Sequence, residues 1–123
     1  RALAKAYLQA LGKFFASGNI TVPRIDVERS AWHLMPVLFR DRATRDRVRK
    51  GLGKRGIASQ VHYPPVHLQP YYRKRFGYKE GDFPVAEDAA RRILSLPLHP
   101  QMGESDVERL VEALSGILAT VPA

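Results

Sequence analysis

Between Ser59 and Tyr72 the chain reads SQVHYPPVHLQPYY, with two histidines, three tyrosines and three prolines in fourteen residues. Imidazole exchanges protons near neutrality, and a phenol both donates and accepts hydrogen bonds. Proline fixes its own φ and pushes the preceding residue toward extended conformations. The segment is therefore expected to be a stiff, non-helical loop that presents His62, Tyr63 and His67. Other chemistries fare worse. A zinc site needs three or four converging ligands; His33 and His99 are distant in sequence and there is no cysteine. No carboxylate lies near His62 or His67 in sequence to orient an acid–base pair, and neither Ser59 nor Ser95 sits in a nucleophile-elbow pattern. Gly51, Gly53 and Gly56 fall in a helical stretch and its end, and no phosphate-cradling glycine motif occurs.

The elements that must carry this loop are legible from periodicity. Leu3, Tyr7, Leu8, Leu11, Phe14 and Phe15 recur at helical spacing, with a stop expected near Ser17-Gly18. The apolar run Ala31 to Phe39 reads as a strand, and Pro36 places it at an edge or on a bulge. The stretch after Arg40 reads as a helix with Val48 and Leu52 inward and Gly56 as its stop. Ile57 to Tyr63 reads as a second strand running into the loop. One or two helical turns are expected over Tyr71 to Phe76. A helix with Pro84 in its first turn follows, capped by Asp82 or Phe83. Its face is small: Ala86, Ala89, Ala90 and Ile93. LSLPLHP reads as a third strand. The last helix starts near Gly103, with Glu104 and Asp106 at the positive end of its dipole and an apolar stripe from Val107 to Leu118. Short strands cannot cover themselves, so the helices must pack on the sheet. The predicted fold is α+β: one two-layer domain over residues 1–123, with a short, mainly antiparallel sheet packed against helices.

The length suits one core, and 45% hydrophobic with 26% charged residues is the profile of a folded domain. No apolar run reaches membrane-spanning length, so no membrane role is expected and a cytoplasmic location is. The chain starts without methionine, already in a helical pattern, and is expected to be a piece of a longer protein. The net charge is +8, which favours anionic partners. Eight basic and two acidic residues lie between Arg40 and Arg55, a net of +6. That stretch lacks the interleaved aromatics of a single-strand binder, so a solvated helix face is preferred over nucleic-acid binding.

Four pieces, SAWHLMPVLF, KRGIASQVHYPPVHLQPYY, FGYKEGDFPVAEDAARRILSLPLHP and MGESDVERLVEAL, together resemble the C-terminal region of the DegT/DnrJ/EryC1/StrS sugar aminotransferases. These are pyridoxal-phosphate enzymes that aminate keto-sugars, usually nucleotide-linked. The resemblance implies the small domain of an aspartate-aminotransferase-like fold, with the loop at His62, Tyr63 and His67 bordering the cleft where a nucleotide sugar enters. The family's S-F-x-x-x-K segment, which carries the cofactor lysine, is absent, so no residue here is expected to be catalytic and no pyridoxal phosphate is expected to bind this chain alone. Two rivals stand beside this reading: a binding or regulatory module that kept the fold and lost catalysis, and a nucleic-acid binder using the basic stretch. Surface meant for a partner domain, expected at Phe14-Phe15 and in AWHLMPVLF, implies self-association as a homo-oligomer.

Overall fold

The computed structural model describes residues 1–120. Helix α1 spans Ala2–Ala10 and α2 spans Gly12–Ala16. Strand β1 is Ile20–Thr21, β2 is Met35–Phe39 and α3 is Arg42–Lys54. A 3-10 turn at Val66–Leu68 leads into α4 (Pro70–Phe76). Then follow α5 (Pro84–Arg92), β3 (Ile93–Leu96) and α6 (Glu104–Leu118). The sheet is antiparallel in the order β1-β2-β3. Helix α3 packs on β2, β3 and α6, and α1 packs on α6. This is the expected α+β arrangement.

The core forms where periodicities coincide. Met35, Val37 and Phe39 alternate onto the buried face of β2. They meet Leu94 and Leu96 of β3, Val48 and Leu52 of α3, and the α6 stripe of Val107, Leu110, Val111, Leu114, Ile117 and Leu118. From α1, Tyr7 is fully buried and its hydroxyl donates to the Pro97 carbonyl at 2.7 Å. Burial pushes that phenol up from its ordinary value, so it stays a donor.

Helix α3 shows how the local sequence sets its own limits. Asp41 is extended and its carboxylate accepts from the Thr44 N–H at 2.7 Å, an N-cap that holds its pKa below the usual carboxylate range. At the other end Gly56 has φ +70°. The Ile57 N–H donates to the Leu52 carbonyl and the Gly56 N–H to the Gly53 carbonyl, the paired bonds of a Schellman stop.

Several expectations need correction. The first helix does not run unbroken to Ser17 but divides at Leu11. The stretch around Ile20, to which no element was assigned, supplies β1. Ile57 to Tyr63 is not a strand; Gln60 makes an isolated bridge to Ser95, and past Tyr63 the prolines have no N–H to carry pairing further. The expected strand from Ala31 is shorter and begins at Met35. Pro36 lies in the central strand, not at an edge. Ser95 directs its N–H and C=O to Gln60, so the Pro36 nitrogen faces the β1 side, where pairing stops at Leu38. The missing N–H therefore interrupts no ladder. In α5 the buried residue is Glu87, while Ala86 is exposed. Phe14 is buried, and among the described residues the exposed large apolar side chains are Tyr63, Val66, Tyr71, Tyr72, Phe76, Phe83 and Val85.

Candidate functional site

The loop is suspended between two anchors. Upstream, Gln60 and Ser95 exchange backbone bonds: the Gln60 N–H donates to the Ser95 carbonyl at 3.1 Å and the Ser95 N–H returns to Gln60 at 2.7 Å. Downstream, the ring of His67 is buried at 7% exposure and its Nε2–H donates to Glu87 Oε1 at 2.9 Å. Pro64 and Pro65 stiffen the span between them. The backbone closes the far end as a 3-10 turn, with the Leu68 N–H on the Pro65 carbonyl at 3.0 Å.

What the loop presents is polar and open. Tyr63 is 67% exposed. Its ring lies 4.8 Å from that of His62, centroid to centroid, and the peptide joining the two residues is cis. His62 is half-buried, and its Nδ1 atom is buried with no hydrogen-bond partner. The same is true of Ser95 Oγ. Both residues line a hollow of about 270 Å³ that His33, Ser59, Leu98 and His99 also border. Both unpaired atoms are buried behind the walls of this hollow, and the chain supplies neither with a partner. Among the described residues, these histidines and carboxylates do not cluster closely enough to hold a metal ion. The structure does not bring the three candidate residues onto one surface: His62 borders the hollow, Tyr63 is open to solvent, and His67 is turned inward to Glu87.

Glu87 is the residue that sequence reasoning missed. It lies twenty positions beyond His67 and is 5% exposed. Its carboxylate also accepts from the Gly81 N–H, at 2.9 Å to Oε1 and 3.0 Å to Oε2, and from the Phe83 N–H at 3.2 Å. The Gly81 N–H first, then His67 and the Phe83 N–H, hold its pKa below the usual carboxylate value against the opposing effect of burial. An acid early in the helix of GDFPVAE was the available signal, since a carboxylate there accepts orphan N–H groups. Because the folded-state pKa is depressed, this stabilisation is complete above the unfolded value of about 4.3 and disappears as pH falls through the lower folded value. Asp41 and Asp82, lowered chiefly by Thr44 and Lys79 respectively, act with the same sign. The melting temperature of the chain is expected to drop on acidification below about pH 5. Circular dichroism melts should show a shallower drop for Glu87→Gln; identical pH profiles would remove Glu87 from this account.

The basic stretch is largely engaged by the protein itself. Arg45 is buried, donating to Asp46 at 2.7 Å and to the Ile93 carbonyl at 3.2 Å. Arg42 pairs with Asp46, while Arg47 and Arg55 donate to the carbonyls of Thr120 and Gly51. This favours the solvated-face reading over nucleic-acid binding.

Comparison with known proteins decides the family. Residues 1–115 match the DegT/DnrJ/EryC1/StrS aminotransferase family. The chain belongs to it. A curated relative, the dTDP-3-amino-3,4,6-trideoxy-alpha-D-glucose transaminase of Streptomyces venezuelae, is 38% identical over 115 residues, covering 92% of this chain and 28% of its own length. The crystal structure of DesV from S. venezuelae, in complex with a ketimine intermediate, superposes with a TM-score of 0.83 at 35% identity, covering 98% of this chain and 31% of that one. The PLP-form of the sugar aminotransferase Spr1654 from Streptococcus pneumoniae gives 0.80 at 26% identity, over 98% of this chain and 31% of that one. The chain thus spans roughly three-tenths of the length of these family members.

Family membership raises the question of pyridoxal phosphate. An aldimine-forming lysine needs a sheltered amine with a tuned pKa. All six lysines here are exposed. Lys5 pairs with Glu28, Lys79 with Asp82, and Lys13 donates to Ser115. None borders the hollow beside His62. The residues of this chain do not fit the cofactor's covalent site.

Proposed function

We propose that this chain is the C-terminal small domain of a pyridoxal-phosphate-dependent aminotransferase acting on nucleotide-linked keto-sugars, and that it supplies a wall of the substrate cleft and no covalent chemistry. The lysine and the cofactor-binding groups belong to a part of the enzyme outside these 123 residues. His62 and Tyr63 contact the sugar nucleotide directly. His67, whose ring is turned to Glu87, serves the same site by holding the loop. The observation that carries this reading is the suspended loop: an open phenol and an imidazole with an unpaired buried nitrogen, fixed at both ends of a proline-stiffened span. The relative named as a dTDP-amino-sugar transaminase supports the substrate class. Rigid aromatic groups give hydrogen bonds at low entropic cost, which suits a hydroxyl-rich ligand. The aromatic side of α4, with Tyr71, Tyr72 and Phe76 exposed, supports self-association in the assembled enzyme. No helix among the described residues is long and apolar enough to cross a membrane.

In the holoenzyme, His62→Ala is expected to raise KM for the keto-sugar about tenfold, equivalent to one lost hydrogen bond to a polar partner, while the cofactor absorbance band stays unchanged. Loss of the band with unchanged KM would place the loop on the cofactor side and overturn the reading.

A further inference from the structure

We propose that Glu87 is a positioning residue for the substrate loop: through His67 it fixes the downstream end of the span whose upstream end is fixed at Ser95. The kinetic part of this inference rests on the function proposed above; the structural part does not.

The excursion from the loop to α5 has little else to hold it. Helix α4 buries none of its residues. Tyr71, Tyr72, Phe76 and Phe83 are exposed. The rings of Tyr72, Phe76, Tyr78 and Phe83 form a chain of contacts along the surface, with centroids 5.5–6.2 Å apart. That chain meets the buried ring of His67, which lies 4.8 Å from Phe83 and 6.3 Å from Tyr78. At this point three segments converge on one carboxylate: His67 from the 3-10 turn, Gly81 from the turn after α4, and Phe83 at the start of α5. A carboxylate with three donors has one preferred place, and shifting any donor leaves a buried group unpaired. The pair His67–Glu87 therefore converts the position of α5 into the position of His67. Only Pro64, Pro65 and Val66 separate His67 from Tyr63. Two of those three have fixed φ, so little of that definition is lost on the way to the loop. Helix α5 is in turn tied to the sheet, because it continues without a break into β3 and Arg92 donates to the Phe39 carbonyl at 3.3 Å. Both anchors thus refer to the same strand, β3: Ser95 directly, and Glu87 through the helix that feeds it.

The test has two independent arms. In the 123-residue chain, NMR hydrogen exchange in Glu87→Ala should rise about tenfold at Gly81 and Phe83, which lose their acceptor, and also at Leu68 and Gln69, whose N–H groups close the 3-10 turn on Pro65 and Val66 and do not contact Glu87. Unchanged exchange at Leu68 and Gln69 overturns the inference whatever the kinetics show. In the holoenzyme, with whichever dTDP- or UDP-linked keto-hexose the wild type aminates, Glu87→Ala should raise KM about tenfold with kcat within about threefold. Glu87→Gln keeps an acceptor oxygen for the amides and should recover part of that loss. It also carries both arms if the alanine variant does not fold. Wild-type KM in both variants overturns the positioning role, and so does an equal fall of kcat and the cofactor band. If His62→Ala leaves KM untouched while Glu87→Ala accelerates exchange at Leu68 and Gln69, the clamp stands and the function proposed for the loop fails.

Discussion

Phe39→Ala is expected to destabilise the domain by about 3–5 kcal/mol, against a total of about 5–15 kcal/mol for a domain of ordinary stability. Phe39 is fully buried at the end of the central strand, where it pairs with Ile20 of β1. Strand β1 has two residues, so its attachment depends on that pairing and on the fully buried Ile20 side chain. Truncating Phe39 leaves a cavity between β1 and the helices that surrounding side chains fill only in part. At a few degrees per kcal/mol for this chain length, the melting temperature should fall by about 10–20 °C. The loss should exceed that of Val66→Ala, a change at an exposed position, by a wide margin. Equal melting temperatures for the two variants would mean that β2 is not the centre of the core.

Helix α6 was the most legible element, because its six apolar positions follow the 3.6-residue period and all are buried as expected. The end of α3 was legible for a similar reason, since Gly56 acts through bonds within a few residues of itself, whereas the Asp41 cap at its start was not read. Strand β1 carries no periodic pattern in two residues, so nothing local could announce it. Pro36 was misplaced because the rule for proline in sheets concerns the direction of one N–H, and direction depends on which strands pair and for how long. Phe14 was misjudged because an apolar residue at a helix end signals that something covers it, not what does. At the site, His62 and Tyr63 could be picked by residue type and by the prolines beside them. The partner of His67 could not, since Glu87 reaches it only after α4 and two turns have brought the chain back. The family resemblance was carried by motifs whose joint order is specific, and it gave the fold that periodicity alone left as one option within a class.

The two glycines of α3 read alike in sequence and should behave oppositely. Both lie within the helix, Gly53 in its last turn, and glycine in a helix costs up to about 0.5–1 kcal/mol relative to alanine. At Gly53 an added Cβ would meet nothing within 4 Å. Gly53→Ala is therefore expected to stabilise by about that amount and to raise the melting temperature by a few degrees. At Gly51 an added Cβ would come within 2.7 Å of Ile117 Cδ1 and 2.9 Å of Cγ1, on the face where α3 packs against α6. Alanine there sets a helix-propensity gain against a contact that the flexible end of Ile117 must yield to. Leucine removes the ambiguity: its larger side chain has to displace Ile117 from the core, and Gly51→Leu should destabilise by about 1–3 kcal/mol. Combining Gly51→Leu with Ile117→Ala should restore part of the loss, because the second change opens the space the first demands. Urea titrations of the single variants and of the pair measure that coupling. Strict additivity would show that α3 and α6 do not meet at Gly51, and that this glycine is, like Gly53, only a weak point in its helix.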